Sequence, residues 1–349
     1  MEKRPFFSVI VLAYQVEEYI EKCLDSIIGQ TFQDYEVIVV NPYGADKTDK
    51  ICRRYQQQYS SIRIIRKENE GQLLNRISGF RQAEGKYLLC IDGDDWWLPS
   101  ALEEIYTALK ENPCELLIFN YQRVSNGEVK INGGILKENT FLSGNEKKVL
   151  YEKLIQEDPA VNAMWTKVIA RSVFSRITEE FVQYKSMRRA EDLLQSLYIM
   201  DEAKTVFYLN RSLYCYRKRK GSMIQTFRSE DIDDMISVTK CTEIYMEKWG
   251  MDTQYFYEML YISAAKFFMD FLYRCCMADL SFGEREKVLK KVRETPLYQK
   301  SVKYQKNVEM PLKYRLPAEL FQINQVLTLI CGFFYRIGRN CKNRQILFV

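Results

Sequence analysis

Cys90-Ile-Asp-Gly-Asp-Asp-Trp-Trp-Leu-Pro-Ser-Ala-Leu-Glu-Glu-Ile-Tyr-Thr-Ala-Leu-Lys110 crowds Asp92, Asp94 and Asp95 together at the end of an apolar run. Like charges at that spacing repel, so such a cluster needs a cation or another partner. Two readings stay open on this stretch alone. Asp is common where a strand gives way to a turn, and Trp97-Leu98-Pro99-Ser100 reads as the start of a helix with Ser100 as N-cap. The other reading is a divalent-metal site.

Working outward, Lys86 to Ile91 reads as the strand that delivers the cluster, and Ala101 to Glu111 as the helix that follows. Phe7 to Ala13 is a nearly continuous β-branched run, as in a strand covered on both faces. Val16 to Gln30 repeats apolar residues at Tyr19, Ile20, Cys23, Leu24, Ile27 and Ile28, the pattern of an amphipathic helix. Tyr35–Val40 and Ile62–Ile65 read as strands, Thr48–Gln58 and Leu73–Ala83 as helices, and Cys114–Asn120 as a further strand. This alternation predicts a doubly wound, mostly parallel α/β sheet flanked by helices. Ligands bind outside the carboxyl ends of strands in such sheets, where Tyr14, Asn41 and Asp92 fall.

Further on, residues 127–134 read as a hairpin or loop, Asn145–Gln156 and Leu193–Met200 as helices, and Thr205–Leu209 as a short strand. After about Arg228 the pattern is helical, with long amphipathic stretches at Asp231–Trp249 and Tyr255–Met277. The expected division is an α/β domain over 1–225 and a helical region over 226–349.

Composition narrows the chemistry. The 349 residues are 47% hydrophobic and 28% charged, as in an ordinary globular protein. The net charge of +5 comes without a basic stripe interleaved with aromatics, so nucleic acid is not an expected partner. Ten cysteines form no C-x-x-C pair and read as buried free thiols. The histidine count is 0, which excludes His-dependent triads and His-ligated zinc. A general base here is expected to be a carboxylate, and a metal site oxygen-ligated. Met1-Glu-Lys-Arg-Pro leads into only a short apolar strand, so no signal peptide is expected and a cytoplasmic location is.

The order of the motifs carries a resemblance. Ser8-Val-Ile-Val-Leu-Ala-Tyr14, CLDSIIGQTFQDYEVIVV from Cys23, KENEGQLLNRISGFRQAEGKYLLCIDGDDWWLP from Lys67, AEDLLQSLYIM from Ala190 and YRKRKGSM from Tyr216 together resemble the inverting family-2 glycosyltransferases, which have the GT-A fold. The resemblance covers roughly residues 6 to 224. It implies transfer from a nucleotide-sugar donor to a glycan or polyprenyl-linked acceptor in bacterial surface polysaccharide assembly. The leaving nucleoside diphosphate is strongly negative, and a carboxylate-held Mg²⁺ or Mn²⁺ neutralises it.

Residue by residue, Asp92-Gly93-Asp94 matches the family's D-x-D, which implies Asp94 for the metal and Asp92 for the donor ribose or sugar. Gly93 would let the backbone approach the ligand, and Asp95 would orient a neighbouring backbone. Ala13, Tyr14 and Asn41 fall where the family contacts the donor, and Arg76 matches an arginine that reaches it. Arg76 reads equally as a solvated helix charge. Glu191-Asp192 matches the E-D motif, implying Asp192 as the base and Glu191 as an acceptor contact. The alternative is that both acids only favour the positive end of the next helix. Trp165-Thr-Lys167 resembles the W-x-K segment near the acceptor, and Trp165 reads equally as a buried structural tryptophan.

Departures matter too. Asn41-Pro42 replaces an acidic pair that contacts the nucleotide base, Tyr14-Gln15 replaces Tyr-Asn, and Ile77 replaces a polar residue. A non-catalytic relative that binds a glycan or a partner glycosyltransferase therefore stays open. A nucleotidyltransferase is disfavoured, since Ala13-Tyr-Gln-Val16 stands where a Gly-rich triphosphate loop would be. Val326 to Phe334 is apolar but too short to span a bilayer, and Arg336, Arg339, Lys342 and Arg344 follow. An interfacial helix on an anionic leaflet, giving peripheral membrane contact, and a packed helix with a solvated tail both remain open.

Overall fold

The computed structural model describes residues 4–125, 127–131, 134–218, 227–324, 326–328 and 332. The chain divides into two compact units, Met1–Arg219 and Lys220–Val349.

The first unit opens with β1 (Phe7–Leu12), α1 (Ile20–Ile28), β2 (Tyr35–Pro42), α2 (Thr48–Gln58), β3 (Ile62–Lys67), α3 (Gln72–Arg81) and β4 (Tyr87–Asp92). Every residue of β1 is buried, as its β-branched run predicts. α1 lays Ile20, Cys23, Leu24 and Ile27 into the core at helical spacing. Each such aliphatic side chain stabilises the fold by roughly 1.5–3 kcal/mol, and Leu24→Ala should cost about 2–5. α3 crosses close to the sheet at Gly79, where an added Cβ would lie 2.5 Å from Ile10.

β5 (Trp96–Trp97), α4 (Ala101–Glu111), β6 (Leu116–Ser125), β7 (Glu128–Ile131), β8 (Thr140–Ser143), α5 (Lys148–Ile155), α6 (Pro159–Asn162), β9 (Lys167–Ala170), α7 (Arg171–Ile177), α8 (Glu191–Glu202) and β10 (Thr205–Arg217) complete the unit. Among the described residues one sheet runs in the order β3-β2-β1-β4-β9-β6-β10-β5, with β7 beside β6 and β8 beside β10. The β3-β2-β1-β4 half is parallel, while β9 lies antiparallel to both β4 and β6.

Register levels the strand ends. β1 aligns Leu12 with Val40 of β2 and with Asp92 of β4. Ala13 then donates its N–H to the Val40 carbonyl at 2.9 Å. The loops that follow are laced together, with the Val16 N–H on Thr48 Oγ1 and the Glu17 N–H on Asp46 Oδ2.

Three local expectations change, and a fourth, the hairpin after Ser125, is met. α1 begins at Ile20, because Gln15 takes a left-handed φ of 52° and the next residues belong to the laced loop. Ser100 stands at the N-cap of α4, but its hydroxyl donates to the Glu104 carboxylate at 2.8 Å and caps no backbone N–H. β10 continues to Arg217, since register shifts between Leu209 and Tyr214 absorb the polar Asn210-Arg211-Ser212. The stretch after Ser125 returns as β7, antiparallel to β6.

The second unit is helical: α9 (Asp231–Lys248), α10 (Gln254–Met277), α11 (Phe282–Glu294), α12 (Pro296–Ser301) and α13 (Leu312–Ile323). A buried ion pair joins Arg274 to Asp231 at 2.8 Å. Among the described residues no helix is long and apolar enough to cross a membrane. Most of the apolar stretch from Val326 to Phe334 and all of Arg336, Arg339, Lys342 and Arg344 lie outside the described residues.

Candidate active site

β4 ends on Asp92, and a tight turn follows in which the Asp95 N–H meets the Asp92 carbonyl at 3.0 Å. The turn is pressed onto β1. Gly93 donates to the Leu12 carbonyl at 2.9 Å, and a Cβ on Gly93 would lie 2.8 Å from that oxygen and 3.0 Å from Val16. The missing side chain of Gly93 thus serves packing of the turn onto β1.

Carboxylate oxygens of Asp92, Asp94 and Asp95 all lie within 4.8 Å of one another. Asp95 is 1% exposed and accepts from the Tyr214 hydroxyl and the Arg217 N–H, both at 2.6 Å. It therefore ties the turn to β10. Burial, then the charges of Asp94 and Asp92, hold its carboxyl well above the usual carboxylate range. The Arg217 guanidinium donates to the Asp94 carbonyl at 2.7 Å and lies 4.6 Å over the Trp96 ring. Lys22 also lies over that ring, at 3.5 Å.

These residues fit a hard divalent cation. Asp95 is buried and accepts from Tyr214 and Arg217, while Asp92 and Asp94 are the partly exposed carboxylates of the cluster. A cation there would relieve the repulsion that raises the Asp95 carboxyl.

α8 supplies the second acidic pair. Ala190 enters it at a left-handed φ of 59°, a costly conformation for a residue with a Cβ. Asp192 Oδ1 lies 2.8 Å from Arg76 Nη1, and Oδ2 accepts from the Met164 N–H at 3.3 Å. The Arg76 side chain is 1% exposed, whereas that of Asp192 is 24% exposed. Arg76 also donates to Gln195 Oε1, one turn along α8. Burial works against the Arg76 charge, but Asp192, Cys90, Asp92 and Glu191 together hold it above its ordinary pKa. Burial and then the Asp192 charge raise Glu191 to about 7, with Arg76 opposing and Asp92 adding. The two acidic clusters thus share one buried guanidinium.

Trp165 is 8% exposed, stacked at 4.4 Å on Tyr214 and edge-on to Tyr121 at 4.8 Å. Lys167 is fully buried below.

The glycosyl transferase family 2 description matches residues 8–190, more than half of the chain. The chain belongs to glycosyl transferase family 2. Glycosyltransferase GlyA of Streptococcus pneumoniae serotype 4 is 31% identical over 222 residues, 62% of this chain and 31% of that protein. The uncharacterized glycosyltransferase EpsJ of Bacillus subtilis is 29% identical over 223 residues, 63% of each chain. The match therefore spans less than two thirds of either relative's length. S. aureus TarS 1-349, solved in complex with UDP, superposes with a TM-score of 0.63 at 19% identity, covering 95% of this chain and 91% of TarS 1-349. The fold is GT-A-like: a mixed, mostly parallel sheet flanked by helices, with a helical C-terminal region.

For this family-2 member the structure brings Asp92, Asp94, Arg76, Glu191 and Asp192 to one end of the sheet. Arg76 is no solvated charge. It is buried and faces Asp192, because a guanidinium this deep needs a carboxylate to offset its desolvation. Ala13 is fully buried at the end of β1. Asn41 is 3% exposed and donates its amide to Asp49 at 3.1 Å. Tyr14 remains 37% exposed. Trp165 is packed into the aromatic stack, as in the structural reading. Gln195 was missed by sequence reasoning, although its i, i+3 spacing from Asp192 set both on one helix face.

Proposed function

We propose that this chain transfers a sugar, with inversion, from a nucleotide-sugar donor to a hydroxyl of a glycan or polyprenyl-linked acceptor in cell-surface polysaccharide assembly. The observation that carries the reading is Asp192, fixed through both oxygens by Arg76 and the Met164 N–H yet 24% exposed. A base needs that fixed yet reachable carboxylate, and the chain has 0 histidines to offer instead. Family membership and the glycosyltransferase relatives GlyA and EpsJ support the reading.

In this mechanism Asp192 takes the acceptor hydroxyl's proton as that oxygen attacks the anomeric carbon opposite the leaving group. Arg76 keeps Asp192 aimed through their ion pair. Glu191, poised near neutrality, and Trp165 border the acceptor side. Asp94 and Asp92 would hold Mg²⁺ or Mn²⁺, which supplies charge neutralisation for the departing nucleoside diphosphate. Tyr14 offers exposed surface on the nucleotide side, and Asn41, donating to Asp49, stands at the neighbouring strand end. TarS 1-349 has been solved with UDP and with UDP-GlcNAc, which makes uridine donors the first to try. The same reading assigns catalysis to residues 1–225. It also sets the enzyme on the inner membrane face through the stretch that begins at Val326.

The test is thermal stabilisation by a panel of nucleotide sugars with Mn²⁺, followed by release of nucleoside diphosphate. Stabilisation with diphosphate release is expected for at least one donor. Glycan binding with neither effect would favour a non-catalytic relative, for which the inward-turned Asn41 speaks.

A further inference from the structure

Lys167 is 0% exposed at the first residue of β9, an expensive place for an ammonium. Its Nζ donates to the carbonyls of Val161 at 2.5 Å, Asn162 at 3.3 Å and Ala163 at 2.7 Å. These carbonyls close α6, where no further helical turn satisfies them. Two more bonds fix the same turn. Thr166 Oγ1 donates to the Ala163 carbonyl at 2.8 Å, and Ser196 Oγ, from α8, to the Asn162 carbonyl at 2.7 Å. The next residue is Met164, whose N–H meets Asp192 Oδ2.

We propose that Lys167 is a positioning residue for Asp192, acting through the 161–164 turn that delivers the Met164 N–H to the carboxylate. The inference rests on the reading of Asp192 as the base. Three converging carbonyls repel one another unless a cation sits among them, so removing the ammonium lets the turn open and the Met164 N–H withdraw. Arg76 remains on the other oxygen, so Asp192 keeps its ion pair and loses its aim. Burial holds Lys167 down at about 7, with Asp192 of α8 and Cys90 of β4 opposing and Arg76 of α3 adding to the fall. The ammonium is therefore present below about 7 and lost as pH rises through it.

The test compares the wild type with Lys167→Met, which keeps the chain length and removes the ammonium, and Lys167→Gln, which keeps N–H donors without charge. Amide exchange at Met164, read by NMR with no ligand present, should speed up roughly tenfold to a hundredfold in Lys167→Met. Protection of the β1 and β4 amides should be unchanged, and Lys167→Gln should recover part of the loss at Met164. With UDP-GlcNAc and Mn²⁺ as probe, turnover should fall by a similar factor at unchanged KM. The part of the alkaline fall in turnover near pH 7 that belongs to Lys167 should vanish in both variants. Wild-type protection at Met164 in either folded variant overturns the proposal, and so does a change confined to KM. If Lys167→Met does not fold, Lys167→Gln decides. If the wild type is inert towards UDP-GlcNAc, the exchange measurement decides alone. Wild-type turnover in Asp192→Asn would remove the base assignment instead, and Met164 exchange would still report the link between Lys167 and the turn.

Discussion

At the end of β4, Asp95 lies buried with neutral donors only, the Tyr214 hydroxyl and the Arg217 N–H. At the start of α8, Asp192 faces the buried guanidinium of Arg76. The first cluster packs carboxylates against carboxylates, and its innermost member is driven above the usual carboxylate range. The second is paired directly with the buried Arg76 guanidinium, whose charge also reaches Asp92 of the first. A site that must bind and release a charged ligand benefits from the first arrangement, because clustered carboxylates favour an incoming cation. A site that must hold one carboxylate in a fixed place through each cycle benefits from the second.

The largest effect that bears on this contrast is on turnover. Asp192→Asn should lower it roughly 10²–10⁴-fold, the range of general-base catalysis, while donor binding persists. Steady-state kinetics beside thermal shift with donor checks both halves, and near-normal turnover in a folded variant would sink the assignment.

Next comes Asp94→Ala. A donor at a hundred times its Kd stabilises a protein by about 2.7 kcal/mol. The metal-dependent part of that gain should disappear in the variant, and a chelator should mimic the loss in the wild type. Indifference to both would return the first cluster to turn chemistry.

Gly93→Ala separates packing from binding. Its Cβ would meet the Leu12 carbonyl at 2.8 Å, so unfolding should become easier by about 1–3 kcal/mol. Weaker donor binding at wild-type stability would show instead that the glycine makes room for ligand.

The smallest effect is a slope. A carboxyl whose folded pKa is raised keeps its proton after the unfolded chain has lost its own. Asp95 therefore destabilises the metal-free protein progressively as pH rises from about 4, by at most about 1.4 kcal/mol per pH unit. Asp95→Asn should flatten that slope in denaturant titrations, and saturating Mn²⁺ should flatten it in the wild type. An unchanged slope in Asp95→Asn would show that the Asp95 carboxyl is not raised in the folded chain.

The sequence was most legible where a segment's surroundings are uniform. Strands β1, β2 and β4 are covered on both faces, so their runs of Val, Ile and Leu announce them. Helices α2 and α4 run over the residues their periodicity marks, Thr48–Gln58 and Ala101–Glu111. Legibility failed where tertiary contacts override local pattern. β9 is four residues long and begins on a lysine, so nothing local announces a strand. β10 passes through Asn210-Arg211-Ser212 only because bulges shift its register against β6. In the site, the order of acidic motifs was readable, but the place of Arg76 was not. A helical arginine reads as solvated until its partners, 116 and 119 residues away in sequence at Asp192 and Gln195, are folded against it.

Trp96 gives the first cluster an optical consequence. Its indole lies under both Lys22 and Arg217, and Arg217 is bonded to the backbone of Asp94. Two cations over one ring perturb its excited state, and any ligand that draws on Asp94 also draws on Arg217. Occupancy of the metal site should therefore register as a change in tryptophan emission that Trp96→Phe silences. The chain would then report its own loading by light, without label or turnover.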